Sequence, residues 1–171
     1  TVSTAAGPIT LEMGTLNLGR DGMLTTPVVL ANTGSDPILA GDRTLFTGGV
    51  TGGGQLRLRG NLTVEGAPLA HDGGLLINGG NESEITRLNG PNSYSGSTVV
   101  RGGQLIINHA DALGTSTEPV VVEPNGRLIL NVPVDNTLDI SGALEVPEPT
   151  VEIAQTIELR GFNATILGQG T

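Results

Sequence analysis

The residues that could carry out chemistry are few, and the two histidines come first. His71 and His109 each have an aspartate within two positions, and Ser35 or Ser83 could complete a nominal Ser/His/Asp set. A triad serine is commonly found in a GxSxG or GDSG string, and neither serine has one. Ser35 lies in a Gly-Ser-Asp turn signature. We therefore expect the histidines to lie on turns, and we predict no catalytic residue.

Patterns for metal or cofactor binding are also missing. The chain has no Cys and only two His, so it lacks the clustered ligands of a zinc site. The glycine-rich stretch 47–54, TGGVTGGG, lacks the aspartate of calcium-binding nonapeptide repeats and the Lys-Ser/Thr ending of a phosphate loop. We predict no metal site and no cofactor, and we interpret 47–54 as a turn or flexible loop.

Carboxylates are abundant, and some parallel β-helices degrade polysaccharides with acidic side chains on an exposed strand face. Nine acids stand between positions 111 and 160, against two arginines. Glu145, Glu152 and Glu158 alternate with apolar residues, so we expect them to face solvent and to suppress aggregation. A catalytic carboxylate pair needs burial or close proximity to raise a pKa, and the pattern indicates neither. We predict a solvated acidic face.

The composition of the chain limits which folds and which partners are compatible with the sequence. The chain has 171 residues, a formal net charge of −9, no Lys and only three aromatic residues. An acidic chain without a basic patch argues against a nucleic-acid partner. A globular core normally contains more large rings, whereas a thin solenoid can be filled by stacked aliphatic side chains. Because the sequence opens at Thr1 without Met, we interpret it as a piece of a longer protein.

Apolar residues recur with a period near 22 from position 56 onward, in steps of 21 to 23 residues. The first series of predicted core columns is Leu56, Ile77, Val99, Val121, Leu144 and Ile166. The second series is Val64, Ile85, Ile106, Ile129 and Val151. Two interleaved series with one period indicate at least two strands in each repeat of a solenoid.

The sequence therefore predicts an all-β fold, a right-handed single-stranded parallel β-helix (solenoid) of about 22 residues per coil with three short strands in each. We expect residues 1–171 to form one such segment, with a loop excursion at 31–54. Some of the asparagines at strand ends, Asn78, Asn89, Asn108 and Asn131, could stack as an amide ladder. An antiparallel β-sandwich is the alternative fold, since the same short strands and turns could build it.

The most specific string lies at residues 88–114, LNGPNSYSGSTVVRGGQLIINHADALG. Its pattern consists of Asn92, Tyr94, Ser95-Gly96, Ser97-Thr98-Val99, Gly103, Leu105 and Ala112-Leu113-Gly114. This pattern resembles the autotransporter-associated β-strand repeat. That repeat occurs in the passenger regions of bacterial autotransporters, where it forms part of a right-handed parallel β-helix.

The resemblance implies a structural or binding stem of a secreted passenger, with a role in adhesion or virulence at the bacterial cell surface. Its implied partners are a host surface protein or glycan, the rest of the passenger, and a C-terminal outer-membrane barrel. We also expect end-to-end or edge self-association, because a last coil containing Ile166 would present open strands. The alternative is an enzymatic passenger, either a protease stalk or a polysaccharide-degrading β-helix.

Overall fold

The computed structural model describes residues 7–31, 34, 36–147, 156–160 and 165–168. These residues form a parallel β-solenoid of about eight turns that is 3% helical. All strand pairings among the described residues are parallel, which rules out the antiparallel sandwich. The strands of the described residues are β1 (Ile9–Leu11), β2 (Thr15–Arg20), β3 (Met23–Leu24), β4 (Val28–Ala31), β5 (Ile38–Phe46), β6 (Val50–Gly53), β7 (Leu56–Val64), β8 (Leu69–Asp72), β9 (Leu75–Asn78), β10 (Ile85–Leu88), β11 (Thr98–Ile107), β12 (Val120–Leu130), β13 (Leu138–Ile140), β14 (Ala143–Val146), β15 (Ile157–Leu159) and β16 (Thr165–Gly168). A short 3-10 helix spans Ala110–Leu113.

The strands of the solenoid lie on three faces, and the first four coils contribute a strand to each face in turn. Face 1 contains β1, β4, β6 and β8. Face 2 contains β2, β9, β13, β15 and the first halves of β5, β7, β11 and β12. Face 3 contains β3, β10, β14, β16 and the second halves of those four long strands. The long strands bend at the corner between faces 2 and 3. The predicted three strands per coil are present in the first four coils, whereas the later described coils have strands on two faces only.

The repeat length is shorter and less regular than the predicted 22 residues. Successive coils lie about 19 residues apart. Leu62 pairs with Thr86, a step of 86 − 62 = 24, whereas Arg127 pairs with Ala143, a step of 143 − 127 = 16. The longer coil contains residues 79–84, which extend the corner between faces 2 and 3. Corners therefore absorb insertions while the strands keep their register.

The interior is a set of aliphatic columns that run through successive coils. On face 2 the register aligns Leu39, Leu58, Ile77, Val100, Val122 and Ile140. On face 3 it aligns Leu24, Phe46, Val64, Leu88 and Ile107. All of these side chains are buried. Each contributes roughly 1.5–3 kcal/mol by burial, and only neighbouring coils can provide that burial.

The predicted core columns are only partly correct. Leu56, Val64, Ile77 and Leu144 are buried, whereas Val99, Val121, Ile85, Ile106 and Ile129 are partly exposed and alternate with buried neighbours, and Ile166 is 47% exposed. Val151 lies outside the described residues. Inward and outward positions alternate along a strand, so an error of one residue moves a column to the opposite face. Both faces of these strands carry β-branched residues, and the sequence pattern could not separate them.

The predicted loop excursion at 31–54 is also wrong, because β5 and β6 occupy most of that range. Its glycines are instead places where coils approach closely. Gly52 has φ +98°, and a Cβ added there would lie 2.1 Å from the Leu30 carbonyl oxygen of the preceding coil. A glycine-rich stretch therefore marks tight stacking here.

The predicted asparagine ladder is present on three coils. Asn131 Nδ2 donates to Asn108 Oδ1, and Asn108 Nδ2 donates to Asn89 Oδ1, each over 2.7 Å. Asn89 Nδ2 in turn donates to Glu65 Oε2 over 3.2 Å. Asn78 is not part of the ladder, since it ends β9 at a different corner. The ladder ties the ends of face 3 together by a chain of aligned amides.

Candidate functional site

The segment 88–114 contains the most specific string in the sequence. Within it, the side chain of Asn92 connects three coils. Asn92 is buried, and its Oδ1 accepts a hydrogen bond from Leu69 N over 2.9 Å. Its Nδ2 donates to the Ala112 carbonyl oxygen over 2.8 Å. Leu69 belongs to the preceding coil and Ala112 to the following one. One side chain therefore satisfies buried backbone groups on both sides of its own coil.

Tyr94 is the largest fully buried side chain and lies two residues further along. Its hydroxyl is 2.6 Å from Thr98 Oγ1, and its ring stacks on His71 with centroids 5.6 Å apart and planes inclined by 14°. Burial raises the pKa of Tyr94 well above its ordinary value. A Cβ at Gly114 would lie 2.9 Å from the Tyr94 ring, so this glycine leaves room for it. These motif residues build a coil corner.

His71 lies in β8 inside the solenoid, whereas the sequence predicted a position on a turn. Its Nδ1 is 3.1 Å from the Gly54 carbonyl oxygen, and its buried Nε2 has no hydrogen-bond partner among the described residues. Burial lowers the pKa of His71, and the Gly54 carbonyl and the Asp72 carboxylate oppose this effect without reversing it. The arrangement fits a neutral imidazole that donates from Nδ1 to Gly54.

The stability of the protein should therefore fall in mild acid. The pKa of His71 in the folded state lies below that of a histidine in an unfolded chain, about 6.5, so the unfolded state binds more protons. The stabilisation is complete above about pH 6.5 and is lost as the pH falls towards the folded-state pKa. We expect the free energy of unfolding to decrease by up to about 1.4 kcal/mol per pH unit in that window. Urea titrations at a series of pH values measure it.

Two variants isolate this effect. His71→Phe keeps an aromatic ring against Tyr94 and cannot titrate, so its stability should vary less with pH than that of the unmodified chain. His109→Gln removes the other histidine, which is partly exposed, and serves as the matched control. A His71→Phe profile as steep as that of the unmodified chain would show that other groups cause the acid sensitivity.

The nominal catalytic set is not assembled in the described residues. Ser83 donates its backbone N–H and its hydroxyl to Asn81 Oδ1, whereas His71 contacts Gly54 and Tyr94. His109 Nδ1 accepts from Asp111 N over 3.1 Å, which caps the 3-10 helix. Ser35 lies outside the described residues. His71, Ser83 and His109, the candidates within the described residues, thus have structural contacts instead.

Most carboxylates near arginines pair between adjacent coils. The pairs are Arg20–Asp42, Arg43–Asp21, Arg57–Asp36, Arg101–Glu123, Arg127–Glu145 and Arg160–Asp139. The Asn61 amide, together with Arg20 and Arg43, lowers the pKa of Asp42. Glu145 and Glu158 point to solvent, as predicted, and Glu152 lies outside the described residues. These exposed pairs contribute little individually, but they favour the observed register.

No cluster of three or more His, Asp or Glu side chains suited to a metal ion occurs in the described part of the chain. Within the same residues, no helix has the length and apolar character needed to span a membrane. Sequence reasoning missed the stacking of His71 on Tyr94, although Tyr94 stood within the motif. Comparison with protein-family models, with curated proteins and with solved structures finds no match for this chain.

Proposed function

We propose that this chain is a structural and binding segment of a secreted bacterial surface protein, in the manner of an autotransporter passenger stem. The observation that carries the proposal is the continuity of the buried columns, which align residue by residue from Leu39 to Ile140. Such columns make a stiff rod with broad strand faces for contact. The structural roles of Asn92 and Tyr94 also support it, since these residues carry the resemblance to the passenger repeat.

In this role the protein holds binding surfaces away from the cell and contacts host proteins or glycans, and it does not turn over a substrate itself. The composition agrees with secretion, because a chain without Cys cannot form disulfides before it crosses a membrane. A C-terminal outer-membrane barrel in the parent protein would supply the anchor.

Surface labelling tests the location. Antibodies raised against the chain should label intact cells of the source bacterium, and external protease should remove the label. An antigen found only inside the cells would refute the proposal. Incubation with acidic polysaccharides tests the enzymatic alternative, because release of shortened products would show that the segment is an enzyme.

A further inference from the structure

A depression of about 420 Å³ lies on the outer surface of face 3. The outward side chains of three consecutive coils form it, and the register places Leu45, Thr63 and Arg87 in one column across β5, β7 and β10. The residues that line it are Arg43, Thr44, Leu45, Asn61, Thr63, Ile85 and Arg87. Coil two and coil four contribute long side chains here, whereas the coil between them contributes Asn61 and Thr63. The shorter middle row produces the hollow, whose volume falls in the range of small-molecule sites.

The hollow contains one positive charge that has no counter-ion among the described residues. Arg87 is partly buried, and it has no ion pair or side-chain hydrogen bond among the described residues. Arg43 already pairs with Asp21 over 2.7 Å. The nearby Asp42 carboxylate is engaged by Arg20 at 2.9 Å and by Asn61 at 3.1 Å. Arg87 is thus an uncompensated cation on a protein of net charge −9, and it can attract an external anion.

The other walls of the hollow restrict the kind of anion. A guanidinium binds a carboxylate with two parallel hydrogen bonds. Arg87 supplies a guanidinium, and its register partner Thr63 supplies a hydroxyl to the same hollow. Leu45 and Ile85 add apolar surface, which suits the apolar face of a pyranose ring. An extended peptide binds by pairing with a free sheet edge, but β10 is already paired with β7 and β11. The hollow therefore matches one acidic sugar ring better than a peptide strand.

We propose that this hollow binds a uronic acid residue of an acidic polysaccharide, with the Arg87 guanidinium holding the sugar carboxylate. Thr63 contacts the hydroxyl groups of the ring, and Leu45 and Ile85 pack against its apolar face. The inference rests on the proposed function and names a ligand class for the stem. The proposal requires that the sugar binds to the hollow, and it does not require that any bond of the sugar is cleaved.

Calorimetric titration of the whole chain with trigalacturonate tests the proposal. Arg87→Gln should weaken binding by at least about tenfold, because it removes both hydrogen bonds to the carboxylate. Arg59→Gln is the matched control, since Arg59 is an exposed arginine on face 2 without an ion pair among the described residues. Its affinity should stay within about twofold of the unmodified chain. Thr63→Leu fills the hollow without changing charge and should also abolish binding, with circular dichroism to verify that each variant is folded.

Fully methyl-esterified trigalacturonate, which lacks the charge, should not bind. Equal losses in the Arg87 and Arg59 variants, equal binding of the ester, or no binding up to about 10 mM would overturn the proposal. Tighter binding of a glutamate-rich peptide through Arg87 would overturn the assignment to a sugar. Each of these failures leaves the surface-labelling result untouched, so the stem role and this site are tested separately.

Discussion

Replacement of Asn92 by alanine should lower the free energy of unfolding by about 4 kcal/mol. The variant leaves the Leu69 N–H and the Ala112 carbonyl oxygen buried without their side-chain partner. Each buried polar group that loses its partner costs about 1–3 kcal/mol, and this substitution leaves two such groups without their partner. Urea titration followed by circular dichroism measures the change.

Asn125→Ala is the matched control for this experiment, because Asn125 is exposed and lines the outer corner of β12. Its replacement should change stability by no more than about 0.5 kcal/mol. If Asn92→Ala were as mild as this control, the amide could not be connecting three coils.

Replacement of Leu105 by alanine should cost about 3 kcal/mol, whereas the same replacement at Ile106 should cost about 1 kcal/mol or less. Leu105 is fully buried on face 3, between Thr86 and Leu128 of the adjacent coils. Ile106 is the next residue, and its side chain points outward and is partly exposed. Both variants remove a similar number of methyl groups, so the difference reports which side chain faces the interior.

Comparison of the two unfolding midpoints in urea gives this result. A larger loss at Ile106 than at Leu105 would restore the column predicted from the sequence and would contradict the register described here. Equal losses would indicate that face 3 is covered on both sides.

The solenoid fold could be predicted because two interleaved series of apolar residues recur with one period near 22 residues. The amide ladder could be predicted in part, since Asn89, Asn108 and Asn131 form it as expected. The inward face could not be predicted. Both Leu105 and Ile106 are aliphatic, so alternation gave no signal for their orientation.

The remaining differences between prediction and structure have specific causes. The glycines near Gly52 were interpreted as a loop because glycine also favours loops, and only the distance to Leu30 shows that they permit close stacking. Similarly, His71 was predicted to lie on a turn, because its stacking on Tyr94 depends on residues of the next coil. The sequence could not identify Arg87 as an unpaired cation, because the residues of the neighbouring coils decide whether a counter-ion lies near it. Among the described residues none pairs with it.

Engineered cysteines test the parallel, in-register stacking of the coils most directly, because the chain has no Cys of its own. Ile106 and Ile129 are register partners on β11 and β12, so their Cα atoms lie about 4.8 Å apart, within reach of a disulfide. Arg127 is two residues out of register with Ile106, at a Cα distance of about 8 Å, which is too far. On mild oxidation, the chain with Ile106→Cys and Ile129→Cys should form an intramolecular disulfide, measured as the loss of two hydrogen atoms, about 2 Da. The chain with Ile106→Cys and Arg127→Cys should keep both thiols free. Faster disulfide formation in the second chain than in the first would contradict the stacked solenoid.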